Sequence, residues 1–303
     1  MTNTVKLGIN TCFAVKRWPE ADQWARIVRE RLGLDLVQFS FDLVDPLAAQ
    51  ETSFKAVDQI RSAADQYGLR IESCFTGLAA YSMNLLLDPD EDMRRWAEKW
   101  YAAAIRFAGA LGCDSVGGHF GAMSMHDYHD AERHAALEEQ LVGEVHRLAS
   151  IALDAGLKSL LWEPMPVERE LLTTIQGTTR MLDLVNDGSP LPVRLCLDLG
   201  HMCCCTSYGQ DADALAWVRA LGSRSPVIHL QQNDGKSDSH MPFTDECNRL
   251  GVVRAPAVLA ALGESGATET SLLFEVIHSF ECPEEQVVND LEKSVNYWKD
   301  FLV

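Results

Sequence analysis

Bases are scarce in this chain: 26 Lys and Arg stand against 44 Asp and Glu, for a formal charge of −18. A field of that sign repels the phosphates of duplex nucleic acid and of an anionic membrane surface, so neither is an expected partner. A small anionic ligand stays open, because a few local bases can outweigh the global field. Long apolar runs are missing too. None approaches the ~20 residues that span a bilayer. The opening MTNTVKLGIN has no basic stretch followed by an apolar one, so no secretory signal is expected. The nine cysteines (Cys12, Cys74, Cys113, Cys196, Cys203, Cys204, Cys205, Cys247 and Cys282) form no C-x-x-C pair and keep no regular spacing. An odd, irregular set reads neither as a disulfide framework nor as a structural zinc knot. A reducing cytoplasm is the expected setting. Finally, no G-x-G-x-x-G turn follows the first apolar run, which leads into TCFAVKRWP. That counts against an open, doubly wound dinucleotide-binding sheet.

What is present is a regular alternation. Short apolar runs at 6–10, 35–40, 70–75, 115–120, 159–164, 193–201, 227–233 and 271–276 have the length and character of buried parallel strands. Helical patterns lie between them, one opening near Pro19 and others over 53–67, 91–111, 132–155, 174–186, 211–222, 255–265 and 284–302. Gly33, Gly68, Gly112, Gly156 and Gly266 each stand between a helical pattern and the next strand, where a left-handed cap ends a helix. Eight strand–helix units in 303 residues predict a single α/β domain over 1–303, a closed (β/α)₈ TIM barrel. The longest irregular stretch, roughly 231–253, marks a loop with work to do.

In such a barrel the C-terminal strand ends face one cavity. Four ionisable residues stand there on successive strands: Glu163 in WEP, Asp198 in LDLGH, His229 in IHL and Glu275 in FEV. One carboxylate at a strand end is ordinarily a cap or an exposed charge. Four groups on four successive strands are a different matter, because buried uncompensated carboxylates cost several kcal/mol each and repel one another. One divalent cation relieves both problems. Three carboxylates and one imidazole suit Mn²⁺, Mg²⁺ or Co²⁺ better than a closed zinc site.

These motifs, WEP (162–164), LDLGH (197–201), IHLQQND (228–234) and FEV (274–276), resemble the xylose isomerase-like barrels, in particular the sugar phosphate isomerase and tagatose-3-epimerase-like branch. The resemblance spans nearly the whole chain. It implies one metal held by Glu163, Asp198, His229 and Glu275, acid–base roles for Glu163 and Glu275 on opposite faces of the substrate, and contact of His201 with a substrate oxygen. Many ketose epimerases of that branch carry an arginine six residues after the metal-binding histidine. Here that place is Gly235, followed by Lys236, so the distal end of the substrate is held differently. The N-terminal half and the loop at 240–251 look closer to a subgroup that includes erythrulose-phosphate epimerases and 3-oxo-isoapionate decarboxylases.

Both activities make an enediolate. Epimerising or isomerising a short ketose needs a proton taken from the carbon next to a carbonyl and returned, for which two carboxylates serve. A decarboxylase of a 3-oxo sugar acid needs only one proton donor and remains the alternative. An abasic-site endonuclease on the same barrel would need further metal-binding histidines and a basic groove, and is disfavoured. The expected partner is a small carbohydrate, with a homodimer or homotetramer left open. Further candidates for substrate contact are His119 after Gly117-Gly118, Asn10 at the end of strand one, Thr76, and the bases Lys16 and Arg17 in the first βα loop. Lys236, Arg249, His240 and Asp234 in the long loop are weaker ones, because a solvated charged loop explains them equally well. Phe13, Phe75 and Trp162 suit a pocket wall or plain core. His278 is expected in solvent, and the Cys203–Cys205 run is expected to pack.

Overall fold

In the computed structural model, which describes residues 4–204 and 208–302, eight parallel strands close into a barrel in the order β1 to β8. They are β1 (Thr4–Asn10), β2 (Leu36–Ser40), β3 (Arg70–Phe75), β4 (Ser115–Gly118), β5 (Ser159–Trp162), β6 (Val193–Asp198), β7 (Val227–Leu230) and β8 (Glu269–Phe274). The helices are α1 (Ala21–Arg26), α2 (Gln50–Tyr67), α3 (Leu78–Tyr81), α4 (Glu91–Leu111), α5 (Met125–His129), α6 (Ala131–Asp154), α7 (Ile175–Asn186), α8 (Ala214–Leu221), α9 (Asp245–Leu250), α10 (Ala255–Glu264) and α11 (Glu284–Lys299). The expected α/β barrel is therefore the observed one. All five expected capping glycines have positive φ, from 59° at Gly33 to 83° at Gly156. Short helices α3, α5 and α9 lie inside stretches the hydrophobic pattern left irregular. Among the described residues, no helix is long and apolar enough to cross a membrane.

Strands β4 to β8 stop two or three residues short of the C-terminal ends of the apolar runs. Glu163 and Glu275 each stand one residue beyond β5 and β8. Their backbone N–H groups still extend the ladder, Glu163 N to Gly118 O at 2.9 Å and Glu275 N to Leu230 O at 3.0 Å. The side chains thus keep strand-like direction while the chain turns away.

Two compact units make up the chain. The first comprises Met1–Gln38, Ser62–Arg70 and Leu195–Val303. In it β1 pairs with β8 from Thr4↔Glu269 to Ile9↔Phe274, and β7 pairs with β8 from Val227↔Ser271 to Leu230↔Phe274. Two further pairings set side chains directly abreast: Asn10 with Gln38 and Asp198 with His229. The second unit comprises Phe39–Arg61 and Ile71–Arg194. Here β4 pairs with β3 (Phe75↔Gly117) and with β5 (Gly118↔Trp162). Gly118 has φ +145°, and a Cβ there would fall 1.8 Å from Thr76 Oγ1. Only glycine lets the end of β4 come that close to the residue after β3.

Helices α4 and α6 belong to the second unit, and α6 buries Leu137, Leu141, Val145 and Leu148 on one face. Glu144 is buried in that face. Gln140 Nε2 donates to its Oε1 at 2.7 Å, while its Oε2 is buried with no hydrogen-bond partner. Arg147 reaches only 3.9 Å. Burial raises the Glu144 pKa above the ordinary carboxylate value, against the weaker opposing pull of Gln140 and Arg147. A raised folded-state pKa stabilises fully below the unfolded value and loses that contribution as pH climbs through the folded one. Glu144→Gln should therefore raise the melting temperature by about 2 °C at pH 7 and leave it unchanged near pH 4, read by thermal melts at both.

Candidate metal centre

Three of the four expected ligand residues come together within the first unit. Asp198 closes β6 and His229 lies inside β7, both fully buried. Glu275 follows β8, with its side chain 12% exposed. His229 Nδ1 sits 2.9 Å from Glu275 Oε2 and 3.9 Å from Asp198 Oδ2. Its other nitrogen, Nε2, lies 2.6 Å from Gln38 Oε1. Gln38 Oε1 also accepts from Asn10 Nδ2 at 2.7 Å, so it is the amide oxygen that meets the ring. His229 Nε2 is therefore the donor, which leaves Nδ1 of the neutral ring as a lone pair aimed at carboxylate oxygens. Acceptors facing acceptors at that distance need a cation between them.

The Asp198 carboxylate makes the same point. Its Oδ1 accepts from Gly200 N at 2.7 Å, from His201 N at 3.0 Å and from Gln231 Nε2 at 2.9 Å. Its Oδ2 is buried and has no hydrogen-bond partner among the described residues. A buried carboxylate oxygen left unpaired beside a second carboxylate is poor packing and good ligand geometry. The donor set, oxygen-rich with one imidazole, fits a hard or borderline divalent ion. Without an ion, a proton on His229 plays the cation. Burial raises the Glu275 pKa, but the charge and hydrogen bond of His229 outweigh it and hold it at about 2.

Asn10 caps the chain turn and reaches the cluster. Its Oδ1 caps the turn at Cys12 N, 2.8 Å away, and its Nδ2 reaches Glu275 Oε1 at 3.2 Å.

The long loop contributes more than its sequence promised. His201 is buried on the turn after β6, with Nε2 3.2 Å from Asp238 Oδ2. His240 Nε2 lies 3.2 Å from the same oxygen, and His240 Nδ1 lies 3.0 Å from Glu275 O. Burial lowers the His240 pKa, but the Asp238 carboxylate more than reverses this and raises it to about 9. Gln231 binds Asp238 Oδ1 at 2.9 Å with the amide nitrogen that also holds Asp198, and its Oε1 accepts from His240 N at 2.7 Å. A Cβ on Gly200 would fall 2.2 Å from the Gln231 side-chain amide, so glycine in LDLGH makes room for that bridge.

Sequence reasoning missed Gln38, Gln231 and Asp238. Gln38 had left a signal: an amide in the middle of the apolar run DLVQFS. Gln231 left a similar one in HLQQND. Asp238 left none, since a loop aspartate beside serines looks like any solvated turn.

In the second unit, Glu163 follows β5 and is 6% exposed. Burial pushes the Tyr101 phenol well above its ordinary value, and the charges of Glu163 and Glu170 push it further. Tyr101 donates to the backbone oxygen of His119. His119 is buried with Nδ1 3.5 Å from Thr76 Oγ1 and its ring edge-on to Tyr81 at 4.9 Å. Phe75 and Trp162 are buried, as Phe13 is in the first unit.

The basic candidates are committed differently from one another. Arg17 donates to Ser279 O at 2.5 Å and Cys282 O at 3.5 Å, tying the first βα loop to the last. Exposed Lys16, held at φ 60°, lies 4.4 Å over the Phe280 ring. Lys236 stands in solvent, 3.6 Å from Asp234, and Arg249 lies in the last turn of α9. His278 departs from expectation: its side chain is 9% exposed and reaches Asp290 at 3.4 Å, because the loop after β8 folds onto α11. Cys203 and Cys204 pack as expected, their thiols 3.0 and 3.1 Å from the carbonyls of Leu199 and Gly200. Burial pushes them up to about 11 and about 12. Cys205 lies outside the described residues.

Comparison with known proteins agrees with this architecture. The family model described as the xylose isomerase-like TIM barrel matches residues 26–299. A xylose isomerase-like protein from Rhodospirillum rubrum of known structure is 31% identical, covers 98% of this chain and 99% of its own, and superposes with a TM-score of 0.92. The D-erythrulose 1-phosphate 3-epimerase of Brucella abortus is 28% identical over 294 residues, 96% of this chain and 94% of that one. A D-psicose 3-epimerase from Clostridium cellulolyticum shares the fold, at 16% identity, 98% and 99% coverage and a TM-score of 0.73. With its barrel closed and its motifs in place, the chain belongs to the xylose isomerase-like TIM barrel family.

Proposed function

We propose that this protein is a divalent-metal-dependent epimerase or isomerase of a short ketose or ketose phosphate, of the kind its Brucella relative performs on D-erythrulose 1-phosphate. One observation carries the reading: in the first unit His229 Nδ1 faces Glu275 Oε2 at 2.9 Å and Asp198 Oδ2 at 3.9 Å, and that Asp198 oxygen has no hydrogen-bond partner among the described residues; the resemblance of the WEP motif adds Glu163. These four hold the ion, Mn²⁺, Mg²⁺ or Co²⁺. A cation there supplies positive charge to the carbonyl and neighbouring hydroxyl oxygens of the sugar, which makes the carbon between them acidic. Glu163 and Glu275 end strands separated by β6 and β7. One takes the proton from that carbon and the other returns it on the opposite face. Asn10 steadies the Glu275 carboxylate through Oε1. His201 and His119 hold sugar oxygens. For a phosphate, Lys16 is the base on offer, since Arg17 is spent on backbone carbonyls and Lys236 on Asp234. Two of the three named relatives are epimerases and none is a carboxy-lyase, so the carboxy-lyase alternative is not carried further.

Incubated in D₂O with metal and D-erythrulose 1-phosphate or related ketoses, the protein should wash deuterium into the position next to the carbonyl. Chelation should abolish the exchange, and Mn²⁺, Mg²⁺ or Co²⁺ should restore it. A metal-loaded protein that exchanges none of them would sink the reading. Glu163→Gln and Glu275→Gln should each lower turnover by at least ~100-fold. Because the ion and a proton compete for His229 Nδ1, metal uptake by stripped protein at pH 7 should release protons, measurable in weakly buffered calorimetry.

A further inference from the structure

Asp238 is not among the residues so far given a part, yet three elements of the first unit converge on it. One carboxylate oxygen, Oδ2, lies 3.2 Å from His201 Nε2 and 3.2 Å from His240 Nε2. The other, Oδ1, accepts from Gln231 Nε2 at 2.9 Å, and that same nitrogen holds Asp198 Oδ1. The two imidazoles stand nearly perpendicular, with centroids 5.7 Å apart at 82°. His240 adopts φ 43°, a left-handed backbone uncommon outside glycine though more accessible to histidine than to most side chains. The surroundings hold that conformation in place: Gln231 Oε1 binds His240 N, and His240 Nδ1 binds Glu275 O.

We propose that Asp238 is a positioning residue: it clamps His201 and His240 by one shared oxygen and, through Gln231, locks both to the Asp198 carboxylate. The proposal rests on the reading of His201 as a contact for a sugar oxygen. A ring whose Nε2 stands in ion-pair contact with Asp238, 3.2 Å away, has its orientation biased before substrate arrives. The long loop thus supplies a fixed imidazole, His240, in a chain that carries Gly235 rather than arginine six residues after His229. A carboxylate at this end repels phosphate, so the clamp faces the uncharged, hydroxyl-bearing part of the sugar.

The test uses the metal-loaded protein with Asp238→Ala and Asp238→Asn. The alanine variant should lose about 10- to 100-fold in kcat with KM changed much less, while keeping the wild-type metal content of one ion per chain. The asparagine variant should recover part of the loss, because its amide oxygen still accepts from both rings. Full activity in the alanine variant would overturn the proposal. So would two ions per wild-type chain falling to one in the variant, which would make the cluster a second cation site. A readout free of substrate is the ¹⁵N imidazole spectrum, assigned with His201→Gln and His240→Gln. Wild-type His201 should keep hydrogen on Nε2, and the alanine variant should show mixed tautomers. An unchanged spectrum would also overturn the proposal. If wild type turns over no ketose, the functional reading fails, and the spectra still decide the role of Asp238.

Discussion

The hydrogen bond from His229 to Gln38 is the constraint on which the first unit's half of the site depends. By taking the Nε2 hydrogen, an amide oxygen on β2 turns the opposite edge of the ring into a lone pair. That lone pair faces Glu275, and beyond it the unpaired Oδ2 of Asp198. Every group around the centre is then an acceptor, and the structure is satisfied only by positive charge. Gln38 can do this because its own NH₂ is not the end in contact: Asn10, directly abreast on β1, donates to the same oxygen and fixes its identity. The need for positive charge at the centre is therefore set from β2.

The surrounding polar network repeats this logic with amides as the connectors. Asn10 and Gln231 each touch more than one acidic or carbonyl partner, and each sits on or directly after a strand rather than on a long charged stem. Amides bridge like-charged groups without adding charge of their own. Lysines and arginines are absent from this inner network as described. The bases on the rim are engaged elsewhere, Arg17 with two carbonyls and Lys16 with an aromatic face.

Much of this was legible from the residue pattern. Parallel strands buried on both faces read as unbroken apolar runs, so the eight strands and the polar intruders Asp198 and His229 stood out. The glycine caps were legible for the same reason: one conformation, repeated at the same point of each unit, favours one residue. What the pattern could not show were relations between distant segments. The Gln38–His229 contact joins residues 191 positions apart. Asp238 gains its place only when the loop after β7 folds back over the turn after β6. His278 looked like an exposed loop residue until α11 supplied Asp290. The strand ends were overrun by a residue or more because Glu163 and Glu275 keep the ladder's hydrogen bond after the regular strand has stopped.

The order of these residues along the chain carries a consequence for synthesis. Asp198, His229 and Glu275 all lie beyond residue 197, while their partners Asn10 and Gln38 lie in the first forty residues. A growing chain completes the β1–β2 edge early, then waits until β8 has emerged before β1 finds its second neighbour. The closing strand and the carboxylate that follows it arrive together. Until then the emerging protein has an open β1 edge and no complete acidic centre, so completing the centre and closing the barrel become one late event at the ribosome's exit rather than two separate ones.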